Sequence, residues 1–140
     1  MCNIQAPTTG LETKFSLRMT TAMALAGVET GRLDSYTEAN AADPVLQGLR
    51  DKISIEFQTG WPHTRADMEI ETTDGARVTA SYDAGVPAAD VMEQGRRLEQ
   101  KFHALVDPIL GAPRAREIVS LVQRFDSLAD LRELAKACAG

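Results

Sequence analysis

The first long segment of the chain carries apolar side chains on almost every side of a predicted helix. Thr9 and Glu12 have the spacing of a capping box, in which each side chain satisfies a backbone donor near the other residue. The pattern predicts one helix from Gly10 to Ala26, ended by Gly27 in a left-handed conformation. Its apolar residues leave no wide polar face: Phe15, Leu17, Met19, Ala22, Met23, Ala24, Leu25 and Ala26. Such a helix needs burial on several sides, so we expect another domain or subunit to cover it.

Alternating segments follow two short helices. Residues 34–40 predict one short helix, and Asp43-Pro44 begins another with Asp as N-cap and Pro at the first helical position. Apolar and polar residues then alternate, as in half-buried strands, over 52–57, 67–72 and 77–82. Asp74-Gly75 predicts a type I′ hairpin turn between the last two strands. We therefore expect a small antiparallel meander of three strands.

The remainder of the chain has helical periodicity. A helix is predicted from about Ala88 to Val106, with a turn at Asp107-Pro108, a second helix from Pro113 and a third capped by Ser127 and Asp130. Their apolar stripes are, in chain order, Val91, Leu98, Phe102 and Leu105; Ile118, Leu121, Val122 and Phe125; and Leu128, Leu131 and Leu134. The order of elements, in which helices come before and after the meander, predicts an α+β fold with helices on one face of the meander. We expect a single domain over residues 1–140.

Composition and charge exclude several classes of function. Of the 140 residues, 44% are hydrophobic and 25% charged, as in ordinary globular domains. The net charge of -5 and pI of about 5.0 give no reason to expect nucleic acid or an anionic membrane as partner. No apolar run approaches the roughly 20 residues that span a bilayer, and the N-terminus does not have the pattern of a secretory signal. We predict a cytoplasmic protein.

Few residues have the spacing of a chemical site. Cys2 and Cys138 lie far apart and are interpreted as reduced structural thiols. His63 lies in a loop with Trp61 and Arg65, which either flanks an anionic ligand or is a surface loop anchored by the tryptophan. His103 is interpreted as a structural or surface histidine. Because no acidic residue stands at ligand spacing from either histidine, we expect no metal site.

Three motifs, taken in order, are informative together. They are Thr9-Gly10-Leu11-Glu12-Thr13-Lys14-Phe15-Ser16-Leu17, the Asp74-Gly75 hairpin, and Lys101-Phe102-His103-Ala104-Leu105. In this order they resemble the C-terminal half of the MmgE/PrpD family, whose enzymes are substantially longer than this chain. The resemblance implies the smaller α+β lid of a two-domain, usually dimeric enzyme.

The resemblance also implies a chemistry. Family members include 2-methylcitrate dehydratase, cis-aconitate decarboxylase and iminodisuccinate epimerase, which move protons next to a carboxylate of small polycarboxylates without a metal or organic cofactor. Their substrate lies between the lid and a large helical domain. We therefore expect an N-terminal helical domain or partner subunit, a homo-oligomer, and a polycarboxylate substrate only in the complete enzyme, with no nucleic-acid or membrane partner.

The resemblance places the acid/base residues of the family ahead of Met1, so it assigns no catalytic residue here. Lys14, Ser16 and Arg18 would border the cleft and are the candidate substrate-binding residues. Lys14 and Arg18 are four apart, so on one helix face two cations could grip a carboxylate. The alternative is that they form the solvated or interdomain edge of an apolar helix.

The sequence leaves three functions open. The first is the C-terminal lid of an MmgE/PrpD-type lyase or isomerase, inactive alone. The second is a stand-alone, non-catalytic interaction or assembly module derived from such a lid. The third is a small independent enzyme that uses His63, Arg65 and Lys14, although catalysis needs positioned acid/base groups in a water-excluding cleft and this chain offers few candidates.

Overall fold

A computed structural model of the chain describes residues 3–139, which have an α+β fold as predicted. Cys2 lies outside the described residues. Over that range there are seven α-helices: α1 Gly10–Lys14, α2 Leu17–Leu25, α3 Glu38–Ala42, α4 Pro44–Arg50, α5 Val91–Leu110, α6 Ala112–Gln123 and α7 Arg132–Cys138. One antiparallel sheet consists of β1 Arg65–Glu71 and β2 Arg77–Asp83. The chain forms two compact units, one from Glu56–Gln94 and one from the residues before and after it.

The predicted continuous first helix is wrong, because the chain breaks between α1 and α2. The capping box at the start of α1 is present: Thr9 Oγ1 accepts the Glu12 N–H at 3.2 Å, and the Glu12 carboxylate accepts the Thr9 N–H at 3.2 Å. A second cap follows at Ser16, whose hydroxyl accepts the Met19 N–H at 3.1 Å. Periodicity alone could not show this break, because apolar residues continue across it.

The N-terminal segment reinforces the break. The Asn3 side chain accepts the Leu17 N–H at 3.3 Å, and the Ile4 N–H donates to the Phe15 carbonyl at 2.9 Å. Two backbone groups that a continuous helix would have used internally, the Leu17 N–H and the Phe15 carbonyl, are thereby satisfied by other partners. The segment before the first helix therefore belongs to the structure of the α1–α2 junction.

The first core cluster is built on α2. Met19, Met23 and Leu46 are buried, with Val28 and Tyr36 packed against them. The helix ends at Leu25, and Gly27, just after its C-cap Ala26, has the predicted left-handed φ of 78°. Other apolar residues of α1, α2 and their junction stay exposed: Leu11 (65%), Phe15 (48%), Leu17 (39%) and Leu25 (48%).

Two further short helices complete this region. The helix predicted over residues 34–40 is misplaced: Leu33–Ser35 form a 3-10 turn, and α3 begins after Thr37, whose side chain accepts the Asn40 N–H at 3.1 Å. The helix predicted at Asp43-Pro44 is confirmed as α4, and the Asp43 carboxylate accepts the Val45 N–H at 2.7 Å.

The sheet has two strands, so the predicted third strand at residues 52–57 is wrong. Ile53 and Ile55 are half-buried while Ser54 and Glu56 are exposed, but Phe57, the third apolar residue of the pattern, is 64% exposed, so the alternation holds only over residues 53–56. Strand identity also needs a hydrogen-bonded neighbour, which the part of the chain that the structure describes does not place beside this segment.

The hairpin is confirmed, but its turn type differs from the prediction. Within residues 3–139 only glycines have positive φ, so Asp74 does not adopt the conformation that a type I′ turn requires. Gly75 has a φ of 83°, and the Thr72 N–H donates to the Ala76 carbonyl at 2.9 Å. This is a three-residue loop in which one glycine supplies the left-handed position.

The C-terminal helices form a second core cluster. Ile118, Leu121 and Ala137 are buried, and Phe102, Leu110, Leu128 and Leu134 pack against them. Five predicted stripe residues are instead exposed by about half or more: Val91, Leu98, Val122, Phe125 and Leu131. The periodicity found the helices, but it overestimated how much of each apolar stripe other elements cover.

Helix ends in this region also differ from the prediction. The turn predicted at Asp107-Pro108 is wrong, because α5 continues through Pro108 to Leu110. The chain turns instead at Gly111, which has a φ of 81° and leads into α6. The predicted caps of the last helix are wrong: the N-cap position of α7 is Leu131, which has no side-chain cap, while Asp130 accepts the Arg132 N–H at 2.9 Å from one residue earlier and the Ser127 hydroxyl donates to the Arg124 carbonyl.

Gly10→Ala should destabilise the protein even though alanine is the better helix former. A Cβ at Gly10 would collide with the Tyr36 carbonyl oxygen and lie 3.0 Å from the Thr37 Cα, and neither backbone atom can move without shifting α3. We expect the free energy of unfolding in urea to fall by about 1–3 kcal/mol. The control is Gly48→Ala at an exposed position of α4, where a Cβ meets nothing within 4 Å and a gain of about 0.5–1 kcal/mol is expected. Equal stability changes in the two variants would contradict this packing.

Glu12 should contribute a measurable pH dependence. Hydrogen bonds from the Thr8 backbone N–H, the Thr8 hydroxyl and the Thr9 N–H hold the pKa of the Glu12 carboxyl below its ordinary value. Its contribution to stability is therefore fully present above the ordinary pKa and is lost as the pH falls through the lowered pKa. Urea unfolding from about pH 6 to pH 2 should show a smaller loss for Glu12→Gln than for wild type. The control is Glu38→Gln, since Glu38 accepts no hydrogen bond within the described residues; the same reduction there would refute the assignment.

Candidate functional site

The three candidate substrate-binding residues surround the α1–α2 junction but are not equivalent. Ser16 is 1% exposed, and its hydroxyl caps α2. Lys14 and Arg18 lie on different helices, so the prediction that they share one helix face is wrong. The break that Ser16 produces is the physical reason, because i and i+4 residues are neighbours only on a continuous helix.

The two cations also differ in how they are engaged. The Arg18 guanidinium donates to the Arg50 carbonyl and the Gln5 side chain, both at 3.2 Å, and lies 3.9 Å from the Asp51 carboxylate. Its side chain is 20% exposed, so Arg18 ties α2 to the end of α4. The exposed Lys14 ammonium lies 5.3 Å from the centre of the Tyr36 ring, at the distance of a cation–π contact. Lys14 is therefore the member of the three best able to meet an anion.

The Trp61–Arg65 loop forms a separate cluster in the Glu56–Gln94 unit. The Arg65 guanidinium lies 4.4 Å from the Trp61 ring centre and donates to both Asp67 oxygens at 3.0 and 2.9 Å. These bonds, with one from the Ser81 hydroxyl, lower the pKa of Asp67. Because Asp67 neutralises Arg65, the cluster has little attraction left for an anionic ligand, and His63 is exposed beside it.

His103 forms a pair that the sequence interpretation missed. Its Nδ1 lies 2.8 Å from an Asp107 carboxylate oxygen, and its Nε2 lies 4.0 Å from Glu99. The signal was present in the sequence, since residues four apart on a helix are neighbours and Glu99, His103 and Asp107 follow that spacing. The Phe102 ring meets the imidazole edge-on at 5.8 Å. The pair is consistent with the predicted structural role of this histidine.

An open groove of about 650 Å³ lies between α6 and α7. Its floor includes Leu121 and Ala137, and its rim carries charges of both signs: Arg124, Lys136, Glu117 and Glu133. The Arg114 guanidinium, also at the groove, donates to the Lys136, Ala137 and Ala139 carbonyls and so closes the end of α7. Carboxylates beside the cations make this groove a poor site for a polycarboxylate.

Metal-site and membrane-span criteria give negative results within the described residues. No group of three or more His, Cys, Asp or Glu side chains there has the arrangement of a metal site. In the same range, none of the helices is long and apolar enough to cross a bilayer.

Comparison with known families accounts for the order of these elements. Residues 1–127 match the MmgE/PrpD C-terminal domain. The chain belongs to the MmgE/PrpD family. The match includes the capping box, the α1–α2 junction, the hairpin and His103, and it ends before α7. Comparison with curated proteins gave no match.

The geometry of the α1–α2 junction explains the Thr-Gly-Leu-Glu stretch in physical terms. In this MmgE/PrpD C-terminal domain, the Thr-Gly-Leu-Glu stretch is a helix start: Thr9 and Glu12 form the cap, and Gly10 allows the Tyr36 backbone to approach. Ser16 then ends the motif with a second cap. The motif therefore has a structural explanation, with Lys14 as its accessible charge.

Replacing Ser16 should test its role as a cap. Ser16→Ala removes the acceptor of the buried Met19 N–H, so we expect the free energy of unfolding to fall by about 1 kcal/mol or somewhat more. Lys14→Gln and Ser54→Ala, both at exposed positions, should change it by less than about 0.5 kcal/mol. Urea unfolding followed by circular dichroism gives all three values. A Ser16→Ala protein as stable as wild type would exclude this role.

Proposed function

We propose that this chain is the C-terminal lid of an MmgE/PrpD-type lyase or isomerase, similar to 2-methylcitrate dehydratase, that acts on small polycarboxylates. The observation that carries the proposal is the family match over residues 1–127. A lid contributes one wall of a cleft, while a helical domain supplies the acid and base that move protons next to a substrate carboxylate.

The exposed apolar residues of the first two helices support a partner domain. Leu11, Phe15, Leu17 and Leu25 are each at least 39% exposed and lie in α1, α2 or the break between them. A group of large exposed apolar side chains on neighbouring elements is typical of an interaction site. We propose that a MmgE/PrpD helical domain covers these residues, in the same polypeptide or as a separate subunit.

At this junction we propose a substrate contact. Lys14 carries an accessible charge two residues before the Ser16 cap, and Arg18 holds the start of α2 against α4. In the proposed enzyme the Lys14 ammonium binds a substrate carboxylate, and Ser16 and Arg18 set its position at the edge of the cleft. A lysine ammonium suits this role because it is a compact charge with three rotatable donors.

The activity should depend on the helical domain. We expect the purified chain to leave 2-methylcitrate, citrate and cis-aconitate unchanged, and to support turnover when a helical domain from the same source is supplied. Product formation is followed by chromatography, and association by light scattering. Turnover by the rigorously pure chain alone would contradict the proposal. A chain that does not associate with the helical domain would instead be the non-catalytic assembly module.

Within an active complex, Lys14→Gln should lower kcat/KM by roughly tenfold or more, because a hydrogen bond to a charged group contributes about 1.5–3 kcal/mol. The matched control is Lys136→Gln, an exposed lysine in the α6–α7 groove. An unchanged kcat/KM for Lys14→Gln would remove Lys14 from the substrate site while leaving the lid assignment intact.

A further inference from the structure

Strand β2 has one edge without a strand beside it in the part of the chain that the structure describes. The Thr72 N–H donates to the Ala76 carbonyl, and the Ala84 N–H donates to the Thr64 carbonyl. Hydrogen-bonded pairs recur every second residue in an antiparallel ladder. The backbone groups of Val78, Ala80 and Tyr82 therefore point toward β1, and those of the four residues between and beside them point outward: Arg77, Thr79, Ser81 and Asp83.

The sequence of β2 is complementary to its own reverse. It reads Arg-Val-Thr-Ala-Ser-Tyr-Asp from residue 77 to 83. When a second copy runs antiparallel with Ala80 facing Ala80, Arg77 faces Asp83, Val78 faces Tyr82, and Thr79 faces Ser81. Opposite charges, an aromatic beside a β-branched residue, and two hydroxyl residues are all favourable cross-strand pairs.

The backbone agrees with the same arrangement. A two-fold axis at Ala80 makes Ala80–Ala80 a non-hydrogen-bonded pair, so the neighbouring Thr79–Ser81 pairs exchange N–H and carbonyl groups. These are the groups that point outward from β2. Residues 77–82 are all exposed, and β2 has no proline, lysine or bulge of the kind that protects edge strands.

We propose that β2 is a self-association edge, through which two copies of the chain form one four-stranded antiparallel sheet in the order β1-β2-β2-β1. The pairing uses only the Glu56–Gln94 unit. It is therefore independent of the residues proposed above to meet a helical domain.

The other edge of the sheet does not support the same pairing. An equivalent two-fold arrangement of β1 about Met68 would place Asp67 opposite Glu69 of the second copy, twice. Like charges directly opposite each other destabilise a strand pair. Charge therefore selects β2 over β1, although both strands are exposed.

Pairing also resolves a weakness of the isolated hairpin. Two-stranded sheets are marginally stable in water, whereas three or more strands with an apolar face are stable. One face of this hairpin is apolar, with Met68 43%, Val78 53% and Tyr82 69% exposed. Joining two hairpins makes these faces continuous. Because few residues take part, we expect a reversible dimer whose population rises with concentration.

A disulfide tests the register directly. At a non-hydrogen-bonded pair the Cα atoms are about 4.5 Å apart, within the range that a disulfide bridges. In a Cys2→Ser, Cys138→Ser background, Ala80→Cys should give a covalent dimer on mild oxidation, seen by non-reducing electrophoresis. Met68→Cys, at the centre of β1, is the matched control and should stay monomeric. No cross-link at Ala80, or equal cross-linking at Met68, would overturn the proposal.

Charge at the same edge tests the pairing without a cross-link. In the double variant Thr79→Lys, Ser81→Lys, the lysines lie opposite Glu69 and Asp67 of β1 in the same hairpin, which is favourable. In the dimer they would lie opposite lysines of the second copy, which is unfavourable. Sedimentation of the wild type should show a species of twice the 15.2 kDa chain mass at high concentration, and the double-lysine variant should lose it. The single change Thr79→Lys, whose lysine faces Glu69 of its own β1 and Ser81 of the second copy, should retain it. A wild type monomeric at every concentration, or a dimer that survives the double-lysine change, would refute the assignment.

Proline separates the two edges. Thr79→Pro removes an outward N–H from β2, and Glu69→Pro removes an outward N–H from β1, so neither removes a bond of the β1–β2 ladder. We expect loss of the dimer in the first variant and its retention in the second. If both proline variants lose the dimer while keeping the circular dichroism spectrum of the wild type, the proposal of a specific β2 edge is contradicted. If Thr79→Pro does not fold, the double-lysine variant decides.

Discussion

The hydrogen bond from the Met19 N–H to the Ser16 hydroxyl is the contact on which the N-terminal half of the structure depends. It starts α2 at Leu17 and so separates this helix from α1. The direction of α2 then follows, and with it the burial of Met19 and Met23 against Leu46. Because Ser16 is buried, no water can replace its hydroxyl as acceptor for that amide.

The same break gives the candidate residues different roles. On a continuous helix Lys14 and Arg18 would act as a pair. In the structure Arg18 donates to the Arg50 carbonyl, while Lys14 keeps an accessible ammonium beside Tyr36. Arg65 is likewise engaged by a neighbouring acid, and Arg114 by the helix end that it closes. Arg18, Arg65 and Arg114 hold the fold locally, which leaves few charges for a ligand.

Two surfaces of the chain are suited to association, and they differ in physical character. The surface at α1 and α2 is apolar and fits a partner domain of the proposed enzyme. The outer edge of β2 offers directed backbone groups and a self-complementary order of side chains. The apolar surface therefore favours a different domain, and the β2 edge favours a second copy of the chain. The two associations use different residues and different interactions.

The sequence by itself determined the α+β class, the family, the hairpin, and the caps at Thr9 and Asp43, because each depends on residues close together in the chain. Tertiary structure decided the features that need distant partners. The 52–57 segment alternates in burial only over residues 53–56 and has no neighbouring strand within the described residues, and Asn3 and Ile4 stabilise the break before α2 from outside the helix. Local spacing specifies turns and caps through short-range hydrogen bonds. Whether an apolar stripe is covered, or an extended segment becomes a strand, depends on which other surface lies against it.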